Sequence, residues 1–290
     1  MIANGNGTAP GFFLQQDGTD LFFLPGVPNE MLAMLNQTVV TSLLEKFTEL
    51  PPICRRNINV FGLPEPEVES RLKNVLPDDV SLAFNVDFPL VIIKLTARGA
   101  TSQKLIDRAE LAVRKHLEEY VIGIDDETLA QVTARHLTAA GLSLALAESC
   151  TGGLIAELLT DQAGASAFLE RSVVTYANSA KTGCLNVPEI ILEQHGAVSA
   201  ECASAMARGA KATAQTDIAL SVTGIAGPDG GTPEKPVGTV YISLFGDDVD
   251  RTEQFHFPGN RYQVRLRAAS TALDWLRRYA ISSLEIPQEH

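Results

Sequence analysis

One stretch constrains the fold more than any other. The apolar run Leu142 to Ala147 reads as a short buried strand, and a helical run from Leu154 to Thr160 follows, with Leu154, Ile155, Leu158 and Leu159 on one face. Between them lies Glu148-Ser149-Cys150-Thr151-Gly152-Gly153. Ser149 and Cys150 therefore sit on a strand-to-helix turn. The N–H groups of Thr151, Gly152 and Gly153 fall at the helix start, where free donors and the positive end of the helix dipole suit an anion or a developing oxyanion. Two hydroxyls and a thiol beside such donors outline a nucleophile with its oxyanion hole. A helix cap is the simpler reading of the same residues, so the choice rests on the rest of the chain.

Two further segments share this placement. Val174-Thr175-Tyr176-Ala177-Asn178-Ser179-Ala180-Lys181 follows a strand read over Ser172 to Tyr176, with Lys181 one turn into a helix read over Ser179 to Leu185. Val222-Thr223-Gly224-Ile225-Ala226-Gly227-Pro228-Asp229-Gly230-Gly231 follows a buried strand read over Asp217 to Thr223. If the three strands are parallel, their turns share the sheet edge at which open α/β sheets bind ligands. No histidine falls in these segments, and their one basic group is Lys181. A lysine acts as a base when burial lowers its pKa, so Ser149 with Lys181 is a candidate Ser-Lys pair. Tyr176 can relay a proton or stack on a planar ring. Candidate substrate contacts on the three segments are Glu148, Asn178, Thr223, Gly224, Ala226, Gly227 and Gly230, the glycines because they let a ligand approach the backbone closely. Each residue also has an ordinary structural use, and Cys150 reads as a small buried apolar side chain.

Around this centre, residues 123–282 read as a three-layer α/β domain with a mixed sheet. A helix from Thr128 to Ala140 ends at Gly141, Pro188 opens a helix at its first position, and Ser199 caps a helix from Ala200 to about Gln215. Strands over Val237 to Phe245 and Glu253 to Phe257 precede a closing helix from Tyr262 to Tyr279, and residues 283–290 are expected to be a tail. Residues 48–122 read as a small α+β domain in the order strand (Ile53 to Phe61), helix (Pro66 to Val75), strand (Val80 to Val86), strand (Leu90 to Thr96), helix (Ser102 to Tyr120), its two helices on one face of three strands. That order resembles a KH-type module, but the segment lacks the GXXG loop and is near neutral in charge. Residues 1–47 read as two short strands, Phe12 to Leu14 and Leu21 to Leu24, turning at Asp17-Gly18. A helix capped by Asn29 follows, with Met31, Leu32, Leu35, Val39, Leu43 and Leu44 on its apolar face. This is too little to stand as a domain alone.

Composition narrows the partners. A net charge of −12 over 290 residues speaks against a nucleic-acid backbone as the main partner, while leaving room for a small anion held by backbone donors. The four cysteines show no metal-ligand spacing, so no metal is expected and a reduced, cytoplasmic setting is. No apolar run reaches the roughly 18 residues of a membrane span, and the first residues do not read as a signal peptide.

The motifs Ala147 to Gly153, Tyr176 to Lys181, Gly196-Ala197-Val198-Ser199, Thr223 to Gly231 and Lys235-Pro236-Val237-Gly238-Thr239-Val240, in this order, closely resemble the C-terminal domain of the CinA family. The resemblance implies nicotinamide-nucleotide amidohydrolase activity: nicotinamide mononucleotide and water give nicotinate mononucleotide and ammonia, without a cofactor. It implies Ser149 as nucleophile and Lys181 as its basic partner. At the front, Gly7 to Phe12 and Phe23 to Met31 resemble the end of the family's molybdopterin-binding-like domain, and residues 48–122 resemble its KH-like middle region. Most of the first domain is absent, so the ADP-ribose pyrophosphatase activity linked to it is not carried over. An exposed sheet edge in this remnant makes a homodimer an expectation. The alternative to an enzyme is a non-catalytic module that senses a nucleotide or binds a partner, linked to competence or DNA damage.

Overall fold

Asp17 and Gly18 both adopt positive φ, 50° and 78°, and so close a two-residue turn between β1 (Phe12–Gln16) and β2 (Thr19–Phe23), which pair antiparallel. The computed structural model describes residues 1–285. It places this hairpin in a small compact unit of Met1–Ile53 with Arg98–Ala100, the second unit holding Cys54–Ala97 and the residues from Thr101 onward. Helix α1 (Pro28–Met34) has Pro28 in its first turn and Val27 before it, so Asn29 does not cap it as expected. A π-helical stretch, Leu35–Val39, leads into α2 (Val40–Lys46). Ile2, Met34 and Val39 are the buried cluster of this unit. Of the apolar face expected on the helix only Val39 is buried, while Leu32, Leu43 and Leu44 are exposed, because a hairpin and one helix give that face nothing to lie against.

β3 (Ile53–Val60), α3 (Glu65–Leu72), β4 (Ser81–Asp87), β5 (Leu90–Arg98) and α4 (Ser102–Leu117) follow in the expected order, all but the end residues Ile53 and Arg98 in the second unit. Along β5 the residues Val91, Ile93, Leu95 and Ala97 are buried in strict alternation. They meet Ile106, Ala109, Val113 and Leu117 from one face of α4. The three strands expected here are four, in the order β4-β5-β3-β6, because β6 (Val121–Ile124) pairs antiparallel with β3. Four short residues carry too brief a pattern to be read as a strand before their partner is known.

The rest of the unit runs α5 (Leu129–Ala140), β7 (Leu144–Glu148), α6 (Leu154–Thr160), β8 (Leu169–Val174), α7 (Asn178–Leu185), α8 (Glu189–Gln194), α9 (Ala200–Ala214), β9 (Ile218–Gly224), β10 (Thr239–Gly246), β11 (Asp250–His256) and α10 (Arg261–Glu285). The sheet order is β11-β10-β9-β7-β8, with β7 parallel to both β8 and β9, and β10 antiparallel to β9 and β11. Leu144 and Leu146 face a core shared with α5, α6 and α10, while Ala145 and Ala147 face Cys202, Met206 and Leu185 from α7 and α9. A five-stranded mixed sheet between two helical layers is the architecture the alternation of strands and helices implies.

Local chemistry sets the ends. Thr128 Oγ1 accepts from the Gln131 N–H and the Gln131 side chain accepts from the Thr128 N–H, and Gly141 closes α5 at φ 65°. Pro188 stands just before α8 rather than inside it, and Ser199 caps α9 as expected. The closing helix runs to Glu285, through the first residues expected to be a tail; the tail's remaining residues, 286–290, lie outside the described residues. Among the described residues no helix is long and apolar enough to cross a membrane.

Candidate active site

Because β7, β8 and β9 run parallel and adjacent, the segments that leave them emerge side by side. The Ser149 N–H donates to the Val222 carbonyl at 2.9 Å, and the Thr175 N–H donates to the Glu148 carbonyl at 2.8 Å. Helix α7 then turns Lys181 back beneath the β7 turn. Its Nζ donates to the Thr175 carbonyl at 2.7 Å and lies 3.1 Å from Ser149 Oγ. Lys181 is 1% exposed, and no carboxylate pairs with it among the described residues. Burial therefore pushes its pKa down from the ordinary lysine value. A desolvated amine without a counter-ion, in hydrogen-bond reach of a serine hydroxyl, is equipped to take that hydroxyl's proton. The adjacent Cys150 thiol is buried, and burial pushes its pKa up to about 12, which keeps it protonated.

Ser149 and Lys181 open into a cleft of about 240 Å³, also lined by Tyr176, Thr223, Gly224, Ala226 and Gly227. Asn178 and Gly230 do not line it: Asn178 is the exposed first residue of α7, and Gly230 lies further out on the loop. Thr223 spends its hydroxyl on the Ala197 carbonyl at 2.7 Å, tying the β9 end to the loop before α9. Gly224 is required by its neighbours, since a Cβ there would stand 2.7 Å from the Thr239 carbonyl oxygen on β10. One residue that the sequence reading passed over joins the lining, and a second stands one turn behind it. Arg261, at the start of α10, donates from Nη1 to the Gly227 carbonyl at 2.7 Å and from Nη2 to the Tyr176 hydroxyl at 2.8 Å. Arg265, one turn on, donates from Nε and Nη2 to the Thr151 carbonyl at 3.1 and 2.6 Å.

The expected anion site at the start of α6 is already filled by the chain itself. Glu148, expected to contact the substrate, is fully buried and instead accepts from the N–H groups of Gly153 at 2.9 Å, Ile155 at 3.2 Å and Ala156 at 2.9 Å. The Gly152 N–H donates to the Ser149 carbonyl at 3.1 Å. Of the three donors expected for an oxyanion, only the Thr151 N–H has no carbonyl or carboxylate partner among the described residues. A carboxylate at a helix N-terminus satisfies orphan donors and meets the positive dipole end, so the acid fixes the turn that carries Ser149. Glu148→Gln keeps the shape but puts an amide N–H₂ against backbone donors. It is expected to lower stability by about 3 kcal/mol, the order of one or two charge-assisted bonds, seen as a fall in the thermal midpoint.

The family model described as the CinA C-terminal domain matches residues 126–280. A CinA-like protein of Syntrophotalea carbinolica is 52% identical over 280 residues, which are 96% of this chain and 68% of that protein. One of Geobacter metallireducens is 47% identical over 288 residues, 97% and 70% of the two chains. Among solved structures, a competence-damaged protein (CinA) superfamily protein from Klebsiella pneumoniae superposes with a TM-score of 0.51 at 34% identity, over 54% of this chain and 99% of that one. The competence/damage inducible protein CihA from Agrobacterium tumefaciens gives 0.50 at 39% identity, over 54% and 95%.

Proposed function

The chain belongs to the CinA family, and from its buried Ser-Lys pair we propose that it hydrolyses the carboxamide of nicotinamide mononucleotide to nicotinate mononucleotide and ammonia. Ser149 Oγ attacks the amide carbon while the neutral Lys181 amine takes the hydroxyl proton. The carbonyl oxygen becomes an oxyanion, met by the Thr151 N–H and by the Tyr176 hydroxyl, whose own hydrogen is free because its oxygen accepts from Arg261. The Lys181 ammonium returns its proton to the amide nitrogen, the C–N bond breaks and ammonia leaves. Water then attacks the acyl-serine, again giving a proton to Lys181, and the acid departs as Ser149 regains its hydrogen. In this reading the substrate phosphate meets backbone donors of the Gly224–Gly231 loop beside Arg261, a reading supported by Arg261 lining the cleft and bonding the Gly227 carbonyl.

The observation that carries this reading is the 3.1 Å approach of a buried, unpaired lysine to Ser149, which a site built only for binding does not need. The test is ammonia release from nicotinamide mononucleotide, with nicotinate mononucleotide measured in the same samples. One ammonia per acid formed is the expected result; binding without either product would rule the reaction out.

A further inference from the structure

A larger cavity, about 710 Å³, shares no lining residue with the Ser149 cleft. Its walls come from the loop between β3 and α3, the turn between β4 and β5, β11 and α10. Two features set it apart. The first is its aromatic wall: Phe255 stacks on Phe257 at 5.4 Å and meets the edge of Trp275 at 5.8 Å, with Phe88 and Tyr120 also lining the space. The second is its arginines, each lying over a ring: Arg251 over Trp275 at 3.9 Å, Arg267 over Phe88 at 4.9 Å and Arg278 over Tyr120 at 5.3 Å.

The arginines differ in how their charge is used. Arg251 pairs with Glu253 at 2.7 Å, and Arg278 pairs with Asp274 at 2.7 Å, a carboxylate that Arg277 also holds. Arg267 donates to the Pro258 carbonyl at 2.9 Å and pairs with no carboxylate among the described residues. In a chain of net charge −12, this is a cation lying over a ring in the wall of an aromatic cavity and, among the described residues, left without a carboxylate partner.

We propose that this cavity binds a mononucleotide, its base against the aromatic wall and its phosphate on Arg267. Stacking on aromatic and guanidinium planes recognises any base by its π-face, and a guanidinium fork matches phosphate oxygens in pairs. The volume lies in the roughly 300–1,000 Å³ range of small-molecule sites. A free inorganic anion would leave the rings wet, and a hydrocarbon chain would leave Arg267 unmatched.

Calorimetry with adenosine monophosphate tests the site independently of any turnover. Adenosine and inorganic phosphate are each expected to bind at least about tenfold more weakly than the nucleotide, because each supplies half of the contacts. Arg267→Gln is expected to weaken the nucleotide at least about tenfold, while leaving ammonia release and the thermal midpoint unchanged. Phe88→Leu, which removes the ring beneath Arg267, weakens it in the same direction and serves if the first variant folds poorly. Arg261→Gln, at the other cleft, leaves the Arg267-dependent binding event as it was, whatever it does to nucleotide held in the Ser149 cleft. Absence of binding, equal binding of adenosine, or a loss on Arg261→Gln but not on Arg267→Gln would each overturn the proposal; the last would put the nucleotide in the Ser149 cleft.

Discussion

Ser149→Ala is expected to lower ammonia release about 10⁴–10⁶-fold while leaving the thermal midpoint within a few degrees of wild type, as removal of a covalent nucleophile does in enzymes whose serine acts as a unit with its base. Loss of one small, buried oxygen leaves the backbone of the turn intact, because Glu148 and the Val222 carbonyl hold that turn through main-chain N–H groups. The neighbouring thiol does not rescue the variant. Burial pushes the Cys150 pKa up to about 12, which holds the thiol protonated at neutral pH. Activity measured beside the thermal midpoint checks the expectation, and a variant that folds and still turns over at the wild-type rate removes Ser149 from the nucleophile's role.

Lys181→Met and Lys181→Arg are expected to be comparably inactive, and for different reasons. Methionine offers no base. Arginine keeps a charge and a similar length but does not give up its proton, so its failure separates proton transfer from simple positioning. In the wild type, kcat/KM is expected to rise with pH as the amine loses its proton, with a midpoint below the ordinary lysine value of 10.5 because burial lowers it. Stability follows the same titration. Between the lowered folded value and 10.5 the unfolded chain binds the proton and the folded chain does not, so wild-type stability rises with pH across that window. Below the folded value both states are protonated and the folded state bears the full desolvation penalty. Relative to wild type, the methionine variant is therefore most favoured at low pH, and its advantage shrinks toward pH 10.5. Thermal melts of both proteins across pH measure this directly.

The central strand-turn-helix was readable because its signals are local: an apolar run, a short polar break with two glycines, and a helical pattern after it. The same holds for the Thr128 capping box, the Gly141 terminus and the Ser199 cap, each decided within four residues. Ser149 and Lys181 were paired by elimination, as the hydroxyl and the one basic group on segments that a parallel sheet would bring together. Arg261 lies outside those segments. It sits on a fourth segment, 85 residues from the tyrosine it touches, in a first helical turn where an arginine reads as solvated surface. Glu148 was misread because an acid at a strand end beside a candidate nucleophile suggests chemistry, while its true partners are N–H groups up to eight residues ahead, whose orientation exists only once α6 has formed. The N-terminal helix forms where expected, but most of its apolar stripe stays exposed: the stripe is plain in the sequence, and periodicity says nothing about whether a surface is there to receive it.

Glu148 has one more consequence, and it concerns what happens after bond breaking. An unfilled helix start next to a nucleophile attracts carboxylates, and the proposed reaction converts a neutral amide into one. Here the helix start arrives with its own carboxylate in place. The newly made acid finds those donors already taken, so the turn that positions the attacking oxygen offers it no anion trap.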